Sequence, residues 1–63
     1  MKNTQIEFNK EYLHYKNQKS YIPVDNCKIQ ENDLWVEAII YKADDNKLYV
    51  RSKKEFMEKF SLK

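Results

Sequence analysis

Tyr12, His14 and Lys16 alternate along the run Tyr-Leu-His-Tyr-Lys. On a strand, where side chains alternate from face to face, the three point the same way and offer a ring, an imidazole and a cation. Such a surface stacks on a planar base and pairs with a phosphate, and Tyr15 adds a further ring. His14 is the only histidine. Its neutral ring donates to or accepts from a base edge, and its protonated form pairs with a phosphate. General-base work needs a nucleophile or an orienting carboxylate, and no sequence feature signposts either. A histidine bonded to the neighbouring strand is therefore expected before a catalytic one, with ligand binding between the two. No catalytic residue and no enzymatic activity are assigned.

Trp35 and Tyr41 share a face of the strand Leu34 to Ala43, with Glu37 and Ile39 between them. A carboxylate among large apolar side chains wants a partner. One expectation is an ion pair with Lys16, Lys42 or Arg51; the other is that Glu37 accepts from a guanine or amide edge while Trp35 acts as a stacking plate. Tyr49 and Arg51 also share a face. The guanidinium fork of Arg51 suits a carboxylate or phosphate, and with a Ser52 cap and Lys54 beside it a helix start there could attract an anion. An ordinary surface arginine is the competing reading. Cys27, the only cysteine, reads as a small buried residue. One Cys and one His do not make a metal site in a single chain, so neither metal nor cofactor is expected.

The elements that must position these residues are mostly strands. Residues 11 to 16 and 19 to 29 read as a pair joined at Lys16-Asn17-Gln18-Lys19, and Pro23 makes the second strand irregular or places it at an edge. Leu34 to Ala43 is rich in β-branched and aromatic residues and apolar on both faces, so it should be central. Asp44-Asp45-Asn46-Lys47 is a turn leading into Leu48 to Arg51. Ser52 and Glu55 match a capping box for a short helix from about Lys53 to Phe60. Phe56, Met57 and Phe60 would form the stripe that docks this helix on the sheet. The chain contains no glycine, so left-handed backbone positions fall to asparagine, with Asn17, Asn32 and Asn46 the candidates. The absence of glycine also excludes the Gly-rich loops of nucleotide-binding folds. One unit is expected, with residues 1–10 as an arm or added strand carrying Ile6 and Phe8, 11–51 as antiparallel strands, and 52–60 as the helix.

Sixty-three residues lie near the lower limit for a self-sufficient core, which makes oligomerisation expected. Twelve basic and ten acidic side chains leave a formal charge of +2, too small to argue for nucleic acid by itself. The basic excess is C-terminal: Arg51, Lys53, Lys54, Lys59 and Lys63 stand against Glu55 and Glu58. No apolar run is long enough to span a bilayer, and no leader-like segment opens the sequence, so a soluble cytoplasmic protein without membrane contact is expected.

Taken together, Tyr12-x-His14-Tyr15-Lys16, Tyr21, Ile39-Ile40-Tyr41-Lys42-Ala43, Leu48-Tyr49-Val50-Arg51 and Phe56 resemble a small uncharacterised domain family of bacteria and phages. Its pattern begins Y-x-H-[FY]-K-G, continues through V-V-Y and ends in L-W-V-R-P, followed by a phenylalanine. The resemblance covers about residues 12 to 60. The chain departs from it at Asn17 for glycine, Tyr49 for tryptophan and Ser52 for proline. The resemblance implies a mainly β domain with some α: a small SH3-like antiparallel barrel or curled sheet with one short C-terminal helix.

That family carries no assigned reaction. In scale and surface chemistry the chain is similar to the very small phage proteins that oligomerise and sequester cyclic nucleotide immune signals, the anti-CBASS sponges. This implies a non-catalytic binder of a cyclic (oligo)nucleotide, acting as a homo-oligomer in the host cytoplasm if phage-encoded. Tyr12, Tyr15, Trp35, Tyr41 and Tyr49 would stack on bases, while His14, Lys16, Glu37 and Arg51 would meet phosphates or base edges. An SH3-like interaction module that inhibits or recruits a host protein is the alternative, and RNA or DNA binding is the third.

Overall fold

The computed structural model describes residues 5–63. Its elements are β1 (Tyr12–His14), β2 (Ser20–Glu31), β3 (Leu34–Lys42), β4 (Leu48–Ser52), α1 (Lys53–Lys59) and β5 (Phe60–Leu62). All pairings are antiparallel, and the strand order β4-β3-β2-β1-β5 leaves β4 and β5 as edges. The result is a curled, unclosed sheet with one short helix, the second of the two architectures expected. Among the described residues no helix is long and apolar enough to cross a membrane.

Turn chemistry without glycine shapes this topology. Asn32 and Asp33 both take positive φ, 49° and 65°, at the β2–β3 turn, and Asn46 takes 66° between β3 and β4. Asn17 does not: Gln18 beside it adopts φ 60°, while the Asn17 Oδ1 accepts from the Lys19 N–H at 2.8 Å. This side-chain turn anchors the loop at Asn17 and moves the left-handed position one residue on. Pro23 lies inside the sheet at a register shift between Pro23 and Asp25, so β2 is irregular rather than an edge. A bulge is where a strand tolerates a residue with no N–H.

Ser52 caps α1 by accepting from the Glu55 N–H at 3.2 Å. Glu55 does not close the reciprocal half of the box; its carboxylate turns to Arg51 one helical turn back, at 3.5 Å. The helix ends at Lys59, because Phe60 turns to extended backbone and starts β5, which no local pattern foretold. Phe56 and Phe60 stack at 4.3 Å and 8°, whereas Met57 is exposed, so the docking stripe is two phenylalanines wide.

The core is a cluster of rings around Ile39: Tyr12, Tyr41, Phe56 and Phe60, with Ile6, Phe8 and Tyr21 packed against it. Ring pairs of this kind add about 0.5–1.5 kcal/mol each beyond the area they bury. Ile6 and Phe8 therefore pack within one chain. Their segment is an arm rather than an added strand, tied down where the Asn9 N–H donates to the Pro23 carbonyl at 2.8 Å and the Glu7 N–H to the Tyr12 hydroxyl at 3.0 Å. Residues 1–4 of the expected arm lie outside the described residues.

Candidate ligand-binding cleft

The inward side of β3 carries Ile39 and Tyr41 into the core, and register sets Tyr49 of β4 opposite Tyr41 and Arg51 opposite Ile39. Cross-strand partners share a face. Tyr49 consequently stacks on Tyr41 at 5.9 Å and 24°, and Tyr21 from β2 meets Tyr41 edge-on at 5.7 Å. The three rings line an open cleft of about 310 Å³ together with Arg51, Lys19 and the turn residues Asp44 and Asp45.

The three tyrosines, Arg51 and Asp45 of the cleft are each held. The Arg51 Nε donates to the Tyr41 hydroxyl at 2.9 Å, and the guanidinium lies 5.6 Å over the Phe60 ring. The Asn17 amide donates to the Tyr21 hydroxyl at 3.1 Å. The Tyr49 hydroxyl donates to Asp45 Oδ2 at 2.6 Å. That bond, aided by the Lys47 backbone N–H, holds the Asp45 carboxyl below its usual range. The same bond raises the Tyr49 phenol above its ordinary value, with desolvation adding to it. Lys19 and Asp44 form no ion pair among the described residues, so one cation and one carboxylate at the rim stay open to a ligand.

The expected site is therefore split. Tyr41, Tyr49 and Arg51 come together in the cleft. Tyr12 and His14 are buried, with Tyr12 part of the ring cluster. Lys16 leaves their face, because β1 stops at His14 and the chain turns, the Gln18 N–H donating to the His14 carbonyl at 2.9 Å. Tyr15 and Lys16 sit on that turn, where Tyr15 stacks on His14 and the Lys16 and Lys59 ammonium groups lie 5.9 and 5.6 Å from the Tyr15 ring. Trp35 is 65% exposed near the β2–β3 turn, outside the cleft. Glu37 is exposed and pairs with Lys53 at 3.7 Å rather than with Lys16, Lys42 or Arg51. Cys27 is half-buried, not buried.

His14 is bonded to its own turn instead of to a neighbouring strand: Nδ1 accepts from the Lys16 N–H at 3.1 Å. Nδ1 then carries no proton, and the neutral ring keeps its hydrogen on Nε2. Burial lowers its pKa from the ordinary 6.5, and the positive charges of Arg51, Lys59 and Lys16 lower it further. Phe60 meets the imidazole edge-on at 4.8 Å.

Lys19, Tyr21, Asp44 and Asp45 line the cleft without being expected as site residues. Tyr21 and Tyr41 lie on different strands, joined by strand order rather than sequence spacing. Asp45 had a local signal, its place four residues before Tyr49 across a tight turn. A second cavity of about 370 Å³ lies under the N-terminal arm, lined by Ile6, Phe8, Ile39 and the Glu37–Lys53 pair. Its charged groups satisfy each other, so the tyrosine cleft is the better candidate. No protein-family model, curated protein or solved structure matches the chain.

Proposed function

We propose that the protein binds a nucleotide-class ligand without turning it over, and that its role is to sequester a cyclic (oligo)nucleotide signal. The observation that supports this reading is the meeting of Tyr21, Tyr41, Tyr49 and Arg51 at one open cleft. Tyr49 is 41% exposed, so its ring is open to a stacking partner. Base-on-ring stacking is worth about 1–3 kcal/mol per base. Lys19 and the one Arg51 nitrogen that Tyr41 and Glu55 leave open meet phosphate, and Asp44 accepts from an exocyclic amine. The cleft lies at the lower end of the range for ligand pockets, about 300–1,000 Å³. It takes one nucleotide unit, and the further units of a cyclic ligand fall to another subunit. His14 acts in this reading as a packed neutral ring that supports the sheet, not as a phosphate contact.

The test is a calorimetric titration with a panel of cyclic di- and trinucleotides, followed by chromatography of the released ligand. Selective binding with intact ligand supports sequestration. Ligand breakdown makes the protein an enzyme, and silence across the panel overturns the nucleotide reading.

One observation favours a second reading. β4 is an edge strand that exposes Leu48, Tyr49 and Val50, and such an edge can take up a strand of another protein, here a host protein. RNA or DNA binding is weakened by the pairing of C-terminal cations outside the cleft: Lys53 with Glu37 and Lys63 with Glu11. A nucleic-acid binder would lose affinity steeply with salt.

A further inference from the structure

Tyr15 is 54% exposed, yet the turn that carries it is fixed by bonds to its neighbours. Its N–H donates to the Lys59 carbonyl at 3.0 Å, which ties this turn to the last residue of α1. The Gln18 amide donates to the Tyr15 carbonyl at 3.3 Å, and the Lys16 N–H is held by His14 Nδ1. Strand, turn and helix thus meet at one ring. His14 stacks on it at 5.2 Å and 21°, and the Lys16 and Lys59 ammonium groups stand 5.9 and 5.6 Å from its centre. Cation–π attraction keeps an ammonium near a ring but leaves its charge in place.

Among the described residues no carboxylate neutralises these two charges. Neither lysine forms an ion pair, although Lys59 is half-buried. Glu55 is turned to Arg51 and Glu11 to Lys63. Glu58 precedes Lys59 in the helix, and adjacent helical residues do not face each other. His14 reports the same imbalance: Arg51 from β4, Lys59 from α1 and Lys16 from the turn act on it with positive charge, while Phe60 of β5 and Tyr21 of β2 offer it uncharged rings. Backbone bonds that bring like charges together without a counter-ion leave a place for one.

We propose that Tyr15, Lys16 and Lys59 form an anion site that takes a phosphate group, with both ammonium groups on its oxygens. A doubly charged oxyanion matches two unit charges, and lysine binds phosphate as a point charge on a stem flexible enough to reach it. None of the three residues lines the tyrosine cleft, so the proposal is independent of the ligand reading. His14 is not a contact in this site; it is coupled to it. A bound anion offsets the charge of Lys16 and Lys59, so His14 holds a proton more readily, and by reciprocity a protonated His14 strengthens anion binding.

The test is a nuclear magnetic resonance titration of the full chain with inorganic phosphate at neutral pH, with ionic strength held constant by sodium chloride. Saturable shifts are expected at the Tyr15, Lys16 and Lys59 amides. Lys16→Gln, at an exposed turn position, should weaken binding several-fold, and adding Lys59→Gln should abolish it. Lys28→Gln, which removes an exposed charge from the β2–β3 ribbon, should change nothing. Sulfate, a dianion across the range in which histidine titrates, should raise the His14 pKa toward 6.5 in the unaltered protein and not in the double variant. A sugar phosphate that binds more tightly than the free ion would identify a phosphate carried on a larger molecule; equal affinity would identify the free ion. Shifts that do not saturate, that survive the double variant or that vanish equally in Lys28→Gln would each overturn the proposal. So would a His14 pKa indifferent to sulfate.

Discussion

The inward face of β3 crosses two environments within one strand. Trp35 and Glu37 are exposed, whereas Ile39 and Tyr41 are 2% and 5% exposed. Residues Lys28–Glu31 of β2 and Leu34–Glu37 of β3 pair only with each other, while Ala38–Lys42 also pair with β4 and face α1 and β5. The alternation is the same along the whole strand; the number of covering layers differs. A two-stranded ribbon cannot bury a tryptophan, and five strands with a helix can bury a tyrosine.

The largest break in this contrast is Phe56→Ala. Phe56 is fully buried and touches the rings of Tyr12, Tyr41 and Phe60. The loss should be about 3–5 kcal/mol. A domain of this size has only about 3–9 kcal/mol in total, so urea unfolding should show a largely collapsed transition. Next comes Arg51→Met, which keeps the stem over Phe60 but removes the bond to the Tyr41 hydroxyl, at an expected cost of about 1–3 kcal/mol in the same assay. At the hairpin, Asp33→Gly relieves a left-handed aspartate at φ 65° and makes the favoured Asn-Gly turn, so the midpoint should rise by of order 1 kcal/mol. Trp35→Ala should move it by less than about 0.5 kcal/mol.

His14 and Asp45 set two separate steps in the response to pH. His14 is neutral in the fold with its pKa below 6.5, so the unfolded chain binds the proton more readily. Stability from this group is complete above pH 6.5 and is lost as pH falls through the lowered value. Asp45, also lowered, acts in a window that begins below 3.8. A melting curve followed against pH should therefore show a first decline below 6.5 that disappears in His14→Phe, with the lower decline kept.

What could be read from the sequence follows the range over which each cause acts. The β3 strand, the Asp44–Lys47 turn and the Ser52 cap are set by neighbours in the chain, and all three formed. The Tyr41–Tyr49–Arg51 grouping was half visible, because a hairpin register follows from a short turn. Tyr12 and His14 were read as a surface because alternation says which side chains share a face but not which face is covered. That depended on β5 returning from Phe60 to pair with β1, with Phe60 opposite His14, a contact set by chain closure rather than local pattern. Trp35 stands apart from Tyr41 for the opposite reason, since its strand outruns the strand that would have covered it.

The most direct test of the binding account is a calorimetric titration of the best ligand in the cyclic-nucleotide panel against Tyr49→Ala and Trp35→Ala side by side. Tyr49→Ala removes a cleft ring and should weaken binding at least tenfold, equivalent to about 1.4 kcal/mol and within the worth of one stacked base. Trp35→Ala should leave affinity unchanged. Loss of binding in Trp35→Ala with Tyr49→Ala unaffected would contradict the account and move the site to the hairpin.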